Sequence, residues 1–502
     1  MANRYHLVFL VVIATALLLP NLANIYLWQD EAETAILARN ILTHGYPSAW
    51  DGTNVVTQNH EREFNARHVW TWSPWLQLYL TAGSFWIFGE TTFAARIPFV
   101  VLAVASIALL HVYVGRLTGS RRIALFAGLW MTTSIPFLLH ARQCRWYMAA
   151  VFGTIWLLYA YLRMTDGRGS GVVQFVVASL LLFHGNYLVL VYVLGGIVLH
   201  FLVSPLLHSP RPPLRSMATA LSSVVLLSAP WAIYARIWDR PNPLEEYRLP
   251  LLARAARILL SNLTNLNQYL LPFPLAALLP WIWIRRRKLG LGMDRGVALF
   301  VLVLLVALIQ LSFLPWMYFR YLIGLVPVCC ILLGIVIEHL FVLRKVLGLG
   351  VLALGISTNG FTLLLPPHQL RSDLLRYFYE ISHDYDGPDE GIVEYLKTHG
   401  RPDQLVVTNY GQLPIIFYTR MRAVGFGQDP HTAEDPDWII VRRNRGDAEY
   451  LLARASGYRK IVIDYPDIPW GNRADPNRHH FRTAEGVPPV VIFQKPTGGT
   501  PG

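Results

Sequence analysis

The sequence predicts a polytopic α-helical membrane protein of about eleven spans that ends in a small α/β domain. Three observations predict it. Of 502 residues, 54% are hydrophobic and only 15% charged, which fits many spans rather than a single anchor. Eleven apolar runs, most near the roughly 17–25 residues that cross a bilayer, recur between residues 7 and 364. At Leu365-Pro366-Pro367 the hydrophobicity drops and turn residues rise.

The runs fall near 7–27, 94–115, 122–139, 146–163, 171–183, 187–203, 216–235, 267–284, 296–314, 322–342 and 346–364. Leu7–Leu27 is too long for a signal-peptide core and reads as a retained first helix. A further run, Pro74–Phe88, is about 22 Å long at 1.5 Å per residue, short of a core of roughly 30 Å. Leaving it out sorts the loops by charge. One side carries Arg4; Arg116, Arg121 and Arg122; Arg163 and Arg168; Arg211 and Arg215; Arg285, Arg286, Arg287, Lys288 and Arg295; Arg344 and Lys345. Only Asp166 and Asp294 oppose them there. This positive-inside pattern accounts for a net charge of +12 without nucleic acid.

The outer side then holds the 28–93 loop, the turns at 140–147, 184–187 and 315–321, the 236–266 loop and the tail. Pro74–Phe88 is expected to lie flat there, with Ser73 as N-cap, Pro74 at the first helical position and Gly89 as the stop. Trp75, Tyr79, Phe85 and Trp86 suit an interfacial helix. Residues 1–365 thus form the membrane domain and 366–502 a separate extracytoplasmic one. In the tail, strand-like runs at Gln404–Thr408, Trp438–Arg442, Lys460–Asp464 and Val490–Phe493 alternate with helical stretches at Glu390–Thr398 and Asp447–Ala455. It shows no Gly-rich phosphate loop, Cys/His cluster or nucleophile elbow. Cys144, Cys329 and Cys330 lie outside the tail, imply no disulfide framework and read as packing residues.

Trp28-Gln29-Asp30-Glu31-Ala32-Glu33 follows the first run. Ionised acids at a membrane boundary need a reason. Asp30 reads either as the cap of a helix over Glu31–Thr43, with Ala35, Ala38 and Leu42 on one face, or as a general base. His60, Glu61, Glu63 and His68 match no standard metal spacing and read as a solvated loop. Arg142, Arg145 and Tyr147 in one outer turn, and Arg320 and Tyr321 in another, read as interfacial anchors or as clamps on phosphate oxygens. Arg236, Arg240, Arg248, Arg254 and Arg257 break the charge rule on the outer side, which points to an anionic ligand or a polar lid.

The Asp30-Glu31 pair and the segment ending in Gly45-Tyr46-Pro47 resemble the GT-C lipid-linked sugar transferases, in their protein O-mannosyltransferase and aminoarabinose-transferase branch. Further likeness lies in Ser73-Pro74-Trp75-Leu76, Phe88-Gly89, Ala95-Arg96-Ile97-Pro98, Gly115-Arg116-Leu117, the Arg142/Arg145/Tyr147 turn and Arg320-Tyr321. Val393–Lys397 and Phe417-Tyr418-Thr419 look like the outer domain of bacterial members. The resemblance implies a polyprenyl-phosphate-sugar donor, inversion at the anomeric carbon and an active site on the outer face of the inner membrane. The acceptor would be a hydroxyl of a lipid, glycan or protein. It places Asp30 at the catalytic acid, with Glu31 beside it, and gives donor-phosphate binding to Arg142, Arg145, Tyr147, Arg320, Tyr321 and Arg257. It names no cofactor and leaves a divalent metal requirement open. The chain departs from the pattern in carrying Gln143 and Cys144 where many relatives have a second acid, and Ser73 where aminoarabinose transferases have Lys. A flippase for lipid-linked sugar, or a lipid or glycan binder, is the alternative. Transporters tend to show internal repeats and mid-membrane acids, which this chain lacks apart from Glu338 near a span end.

Overall fold

A computed structural model describes residues 2–167, 169–207, 209–239, 250–285, 296–362, 370–429, 435–443, 445–468 and 473–496. Arg168, Arg240, Arg248, Arg286, Arg287, Lys288, Asp294, Arg295 and Leu365-Pro366-Pro367 lie outside them. Its helices are α1 (Ala2–Leu18), α2 (Gln29–His44), α3 (Leu76–Phe88), α4 (Thr92–Thr118), α5 (Arg121–Thr132), α6 (Ile135–Ala141), α7 (Tyr147–Thr165), α8 (Ser170–Gly185), α9 (Tyr187–Val203), α10 (Leu214–Tyr234), α11 (Leu251–Asn265), α12 (Phe273–Ala276), α13 (Leu279–Arg285), α14 (Val297–Ser312), α15 (Val326–Leu343), α16 (Lys345–Ser357) and α17 (Asp373–Glu380). The tail adds α18 (Pro388–His399), β1 (Leu405–Thr408), α19 (Gln412–Thr419), β2 (Arg422–Val424), β3 (Trp438–Ile440), α20 (Ala448–Arg454), β4 (Arg459–Pro466) and β5 (Pro489–Gln494).

Among the described residues, four helices are long and apolar enough to cross a membrane: α4, α7, α10 and the run Phe319–Leu343. The α5–α6 pair makes a fifth if its 61° bend is taken as one broken span. The other runs form apolar helices of 10–17 residues. Two depart clearly from expectation. The first helix ends at Leu18 rather than Leu27, because Pro20 cannot continue it and Asn21 turns to φ 48°. The 267–284 run breaks into a π-helical turn (Leu266–Leu270), α12 and α13, interrupted by Pro272, Pro274 and Pro280.

The chain divides into two compact units. The first comprises 1–20, 99–142 and 146–378. At its centre runs α15, buried at every position from Val326 to Leu340, as expected of a helix apolar on all sides. Glycines let its neighbours approach. A Cβ on Gly334 would sit 2.9 Å from the Ala127 nitrogen of α5, and one on Gly196 of α9 would lie 2.5 Å from the Val303 Cα of α14. Cys329 and Cys330 are buried in α15, in keeping with packing.

The second unit comprises 21–98, 143–145 and 379–502, so the 28–93 loop groups with the tail. Its sheet has the order β2-β1-β3-β5-β4. β1 pairs in parallel with β2 (Val406 opposite Ala423) and with β3 (Val406 opposite Trp438). β5 runs antiparallel to β3 and to β4. Val407, Ile439, Val441, Leu451 and Ala455 form the core on one face. The loop is fastened to this sheet: Asn54 Nδ2 donates to the Met421 carbonyl (3.2 Å), and the Ala423 N–H donates to Asn54 Oδ1 (3.0 Å). Glu63, expected in a solvated loop, is fully buried and accepts from Thr57 Oγ1 (2.7 Å) and the Gln58 and Asn59 N–H groups (2.6 and 2.7 Å). Ser73 does not cap α3, which starts at Leu76; its hydroxyl instead accepts from Trp70 Nε1 at 2.9 Å. Gly89 ends α3 at φ 77° with its N–H on the Phe85 carbonyl.

Candidate active site

α2 brings the acids together. Ala32, Ala35, Ile36, Leu37, Ala38 and Ile41 are buried, so tertiary packing holds a helix whose faces are mostly covered. Gly45 in the left-handed conformation closes it, with its N–H on the Ile41 carbonyl. Leu42, expected on the apolar face, is exposed. Trp28 is the N-cap and makes no side-chain cap bond, so Asp30 is not the cap; it lies in the first turn with Glu31, where the helix dipole favours negative charge.

The three carboxylates differ in surroundings. Glu31 is fully buried, and Arg96 grips both its oxygens, Nε to Oε1 at 2.9 Å and Nη2 to Oε2 at 2.7 Å. The Cys144 N–H donates to the same Oε1 at 3.0 Å. Arg96 also donates from Nη1 to the carbonyls of Leu22 (2.9 Å) and Ile25 (2.8 Å). Glu33 takes Arg145 Nη1 on one oxygen (3.0 Å) and Gln58 Nε2 on the other (2.6 Å). Burial is the main cause that raises the Glu33 pKa and Asp30 adds to it, while Arg145 and Gln58 oppose. Asp30 has Arg145 Nη2 at 3.9 Å, and its side chain is the most accessible of the three, 16% against 7% for Glu33 and 0% for Glu31. Arg145 Nη1 further donates to the Asp30 carbonyl (2.8 Å) and to Thr34 Oγ1 (3.1 Å). Burial, then the Glu31 charge, push the Cys144 thiol well up, so it stays protonated.

This unit therefore gathers Asp30, Glu31 and Arg145, and adds Glu33 and Arg96, to which sequence reasoning gave no role. The signal for Arg96 was an arginine in an apolar run, which requires a buried acid; for Glu33 it was its i+3 position from Asp30 on one helix.

The remaining candidates belong to the first unit. Arg142 is buried and donates from Nη1 to the carbonyls of Leu18 (2.8 Å) and Pro20 (2.7 Å), closing the C-terminus of α1. Tyr147 opens α7, and its ring meets His140 edge-on at 4.6 Å. Arg320 lies over the rings of Tyr318 (4.5 Å) and Tyr321 (5.7 Å). On α11, Arg257 is exposed while Arg254 is buried. Among the described residues, His, Cys, Asp and Glu side chains form no group of three suited to a metal, so the structure assigns no metal ligands.

No protein-family model matches the chain, and no curated protein matches it. Solved structures do. ArnT from Cupriavidus metallidurans in the apo state superposes with a TM-score of 0.59 at 14% identity, covering 98% of each chain. The same enzyme bound to undecaprenyl phosphate gives 0.56 at 13% identity and 99% of each chain. The archaeal oligosaccharyltransferase AglB from Archaeoglobus fulgidus, in complex with an inhibitory peptide and a dolichol-phosphate, gives 0.54 at 10% identity, with 94% of this chain and 74% of that one covered. The chain thus shares the fold of these solved structures.

Proposed function

We propose that the chain is an integral-membrane glycosyltransferase that moves a sugar from a polyprenyl-phosphate donor to a hydroxyl acceptor on the outer face of the membrane. The observation that carries this reading is Asp30: an accessible carboxylate in the first turn of α2, with Arg145 beside it and its neighbour Glu31 held in a buried ion pair. Undecaprenyl phosphate on ArnT and dolichol-phosphate on AglB support the donor class.

In this mechanism the acceptor O–H gives its proton to the Asp30 carboxylate as the oxygen attacks the anomeric carbon. The new glycosidic C–O bond forms while the bond from that carbon to the phosphate oxygen breaks, with inversion, and polyprenyl phosphate leaves with the electron pair. Arg145 orients Asp30. Glu31 positions the turn through Arg96 and the Cys144 N–H. Arg257, Arg320 and Tyr321 are assigned to the donor phosphate, whose growing charge guanidinium groups stabilise. Arg142 and Tyr147 support the framework of that site. The tail shares the compartment of Asp30.

Transfer from radiolabelled polyprenyl-phosphate sugars in proteoliposomes tests the reading. Asp30→Asn is expected to lower turnover about 100-fold or more, the range of a lost general base. Undiminished turnover would remove the mechanism, and flipped but chemically unchanged donor in the product mass spectrum would convert the reading to transport.

A further inference from the structure

The tail's sheet reverses its strand order at a point where Asp30 acts electrostatically on a neighbouring residue, Tyr410. The parallel strands stand in the order β2-β1-β3, so the chain leaves β1 toward one side and returns on the other. In open α/β sheets such a reversal opens a crevice at the carboxyl ends of the two central strands, where ligands bind. Tyr410 follows β1 at that end, and Arg442, Arg443 and Arg445 follow β3. Asn409 locks the two ends together: its Nδ2 donates to the carbonyls of Arg442 and Gly446 (both 3.0 Å), and its Oδ1 accepts from the Arg442 N–H (2.8 Å). Arg442 serves the framework, on Asp467 (2.7 Å), Asp389 (3.3 Å) and the Ile468 carbonyl (2.8 Å).

Arg445 and Arg473 are placed differently. The guanidinium of Arg445 lies 3.8 Å from the centre of the Tyr410 ring, and both arginines hydrogen-bond the Tyr410 side chain. Arg473 also lies 5.1 Å from the ring of Trp28, the residue that caps α2. The charge of Asp30 acts on the same tyrosine. Asp475 is within electrostatic reach of Arg473, and its carboxylate accepts the Asn477 N–H at 3.1 Å. Two guanidinium groups converging on one phenol repel each other, a cost that a bound oxyanion offsets. Burial and the charges of Arg473 and Arg442 pull Arg445 down to about 10, while Tyr410 opposes the shift. Trp28 and Gln29, 3% and 1% exposed, each keep a buried N–H donor, Nε1 and Nε2, that meets no acceptor among the described residues. Gln29 is seated against α19, its Oε1 accepting the Leu413 N–H at 3.3 Å.

We propose that the carboxyl ends of β1 and β3 form an oxyanion site in which Arg445, Arg473 and Trp28 Nε1 hold a phosphate-type group next to Asp30. The proposal deepens the glycosyltransferase reading and rests on it for the anion's role, not for its binding. The anion comes from the donor or from the acceptor, and one experiment separates them.

The full chain in nanodiscs is titrated with inorganic phosphate and, separately, with undecaprenyl phosphate. The double variant Arg445→Gln/Arg473→Gln is expected to weaken inorganic phosphate binding about tenfold or more, the worth of one or two charge-assisted hydrogen bonds. Lysine at both positions should recover part of it. Trp28→Phe, which keeps a ring and loses the N–H, is the second probe should the double variant fail to fold, and should weaken binding several-fold. A parallel loss of undecaprenyl phosphate binding assigns the anion to the donor; its retention, with a raised KM for the acceptor, assigns it to the acceptor. Equal phosphate binding by wild type, the double variant and Trp28→Phe, or none by wild type, overturns the site. Asp30→Asn separates the two claims: if it keeps full transfer while the arginine variants lose phosphate, the base assignment fails and the anion site stands.

Discussion

Asp30 and Glu31 are adjacent in sequence, yet one is accessible and the other is sealed against Arg96. Removing one partner of a buried pair leaves the other charge uncompensated, at a cost of about 3–5 kcal/mol. Arg96→Met is therefore expected to lower the melting temperature and the folded yield, whereas Asp30→Asn should leave both near wild type and lower transfer about 100-fold or more. Equal melting temperatures for Arg96→Met and wild type would show that the grip on Glu31 is dispensable. The sequence set Asp30 ahead of Glu31 only through the family resemblance, because what separates them physically is a guanidinium 65 residues away on another helix. Arg142 shows the same limit: no local pattern announces that its Nη1 meets the carbonyls of Leu18 and Pro20 at the end of α1.

Among elements, the patterned runs of the tail were legible: four of the five strands, and both α18 and α20, lie where the pattern put them. β2 (Arg422–Val424), which shows no alternation, and α19 (Gln412–Thr419), apolar on nearly every side with Pro414 in its first turn, were missed because neither carries a period that marks a strand or an amphipathic helix. The α9–α14 contact depends on a side chain that is absent. Gly196→Leu has no room against Val303 and is expected to destabilise the first unit by roughly 1–3 kcal/mol or more, read as a fall in thermal stability. At the start of α18, Glu390 sits among Asp384, Asp386 and Glu394; burial first, then these charges, push it up to about 7. A carboxyl raised above its unfolded pKa binds protons more tightly in the native state, so the stability it contributes at acid pH is lost as pH climbs from about 4.5 to 7. Glu390→Gln should remove that decline, which melting curves at pH 5 and pH 8 will show as a variant gaining on wild type at the higher pH.

For the whole molecule, the sequence suggested a membrane domain to 365 and a tail that stands alone, while the packing sets 21–98 and 379–502 in one compact unit. The reason lies in hydrogen bonds no local pattern announces: Asn54 inserts between Met421 and Ala423, and the His60 N–H reaches the Gly427 carbonyl at 2.9 Å. Truncation after residue 378 is expected to abolish transfer although Asp30 remains, and residues 379–502 expressed alone should be cut readily by protease. A protease-resistant tail fragment would contradict this. Biosynthesis meets the same dependence as a delay. About 360 residues separate His44 from Leu405, so at roughly 5–20 residues per second a ribosome delivers the first strand about 20–70 s after the acidic helix has emerged. Until then that helix lacks its companions, and a chaperone able to shelter it would set the yield of folded protein.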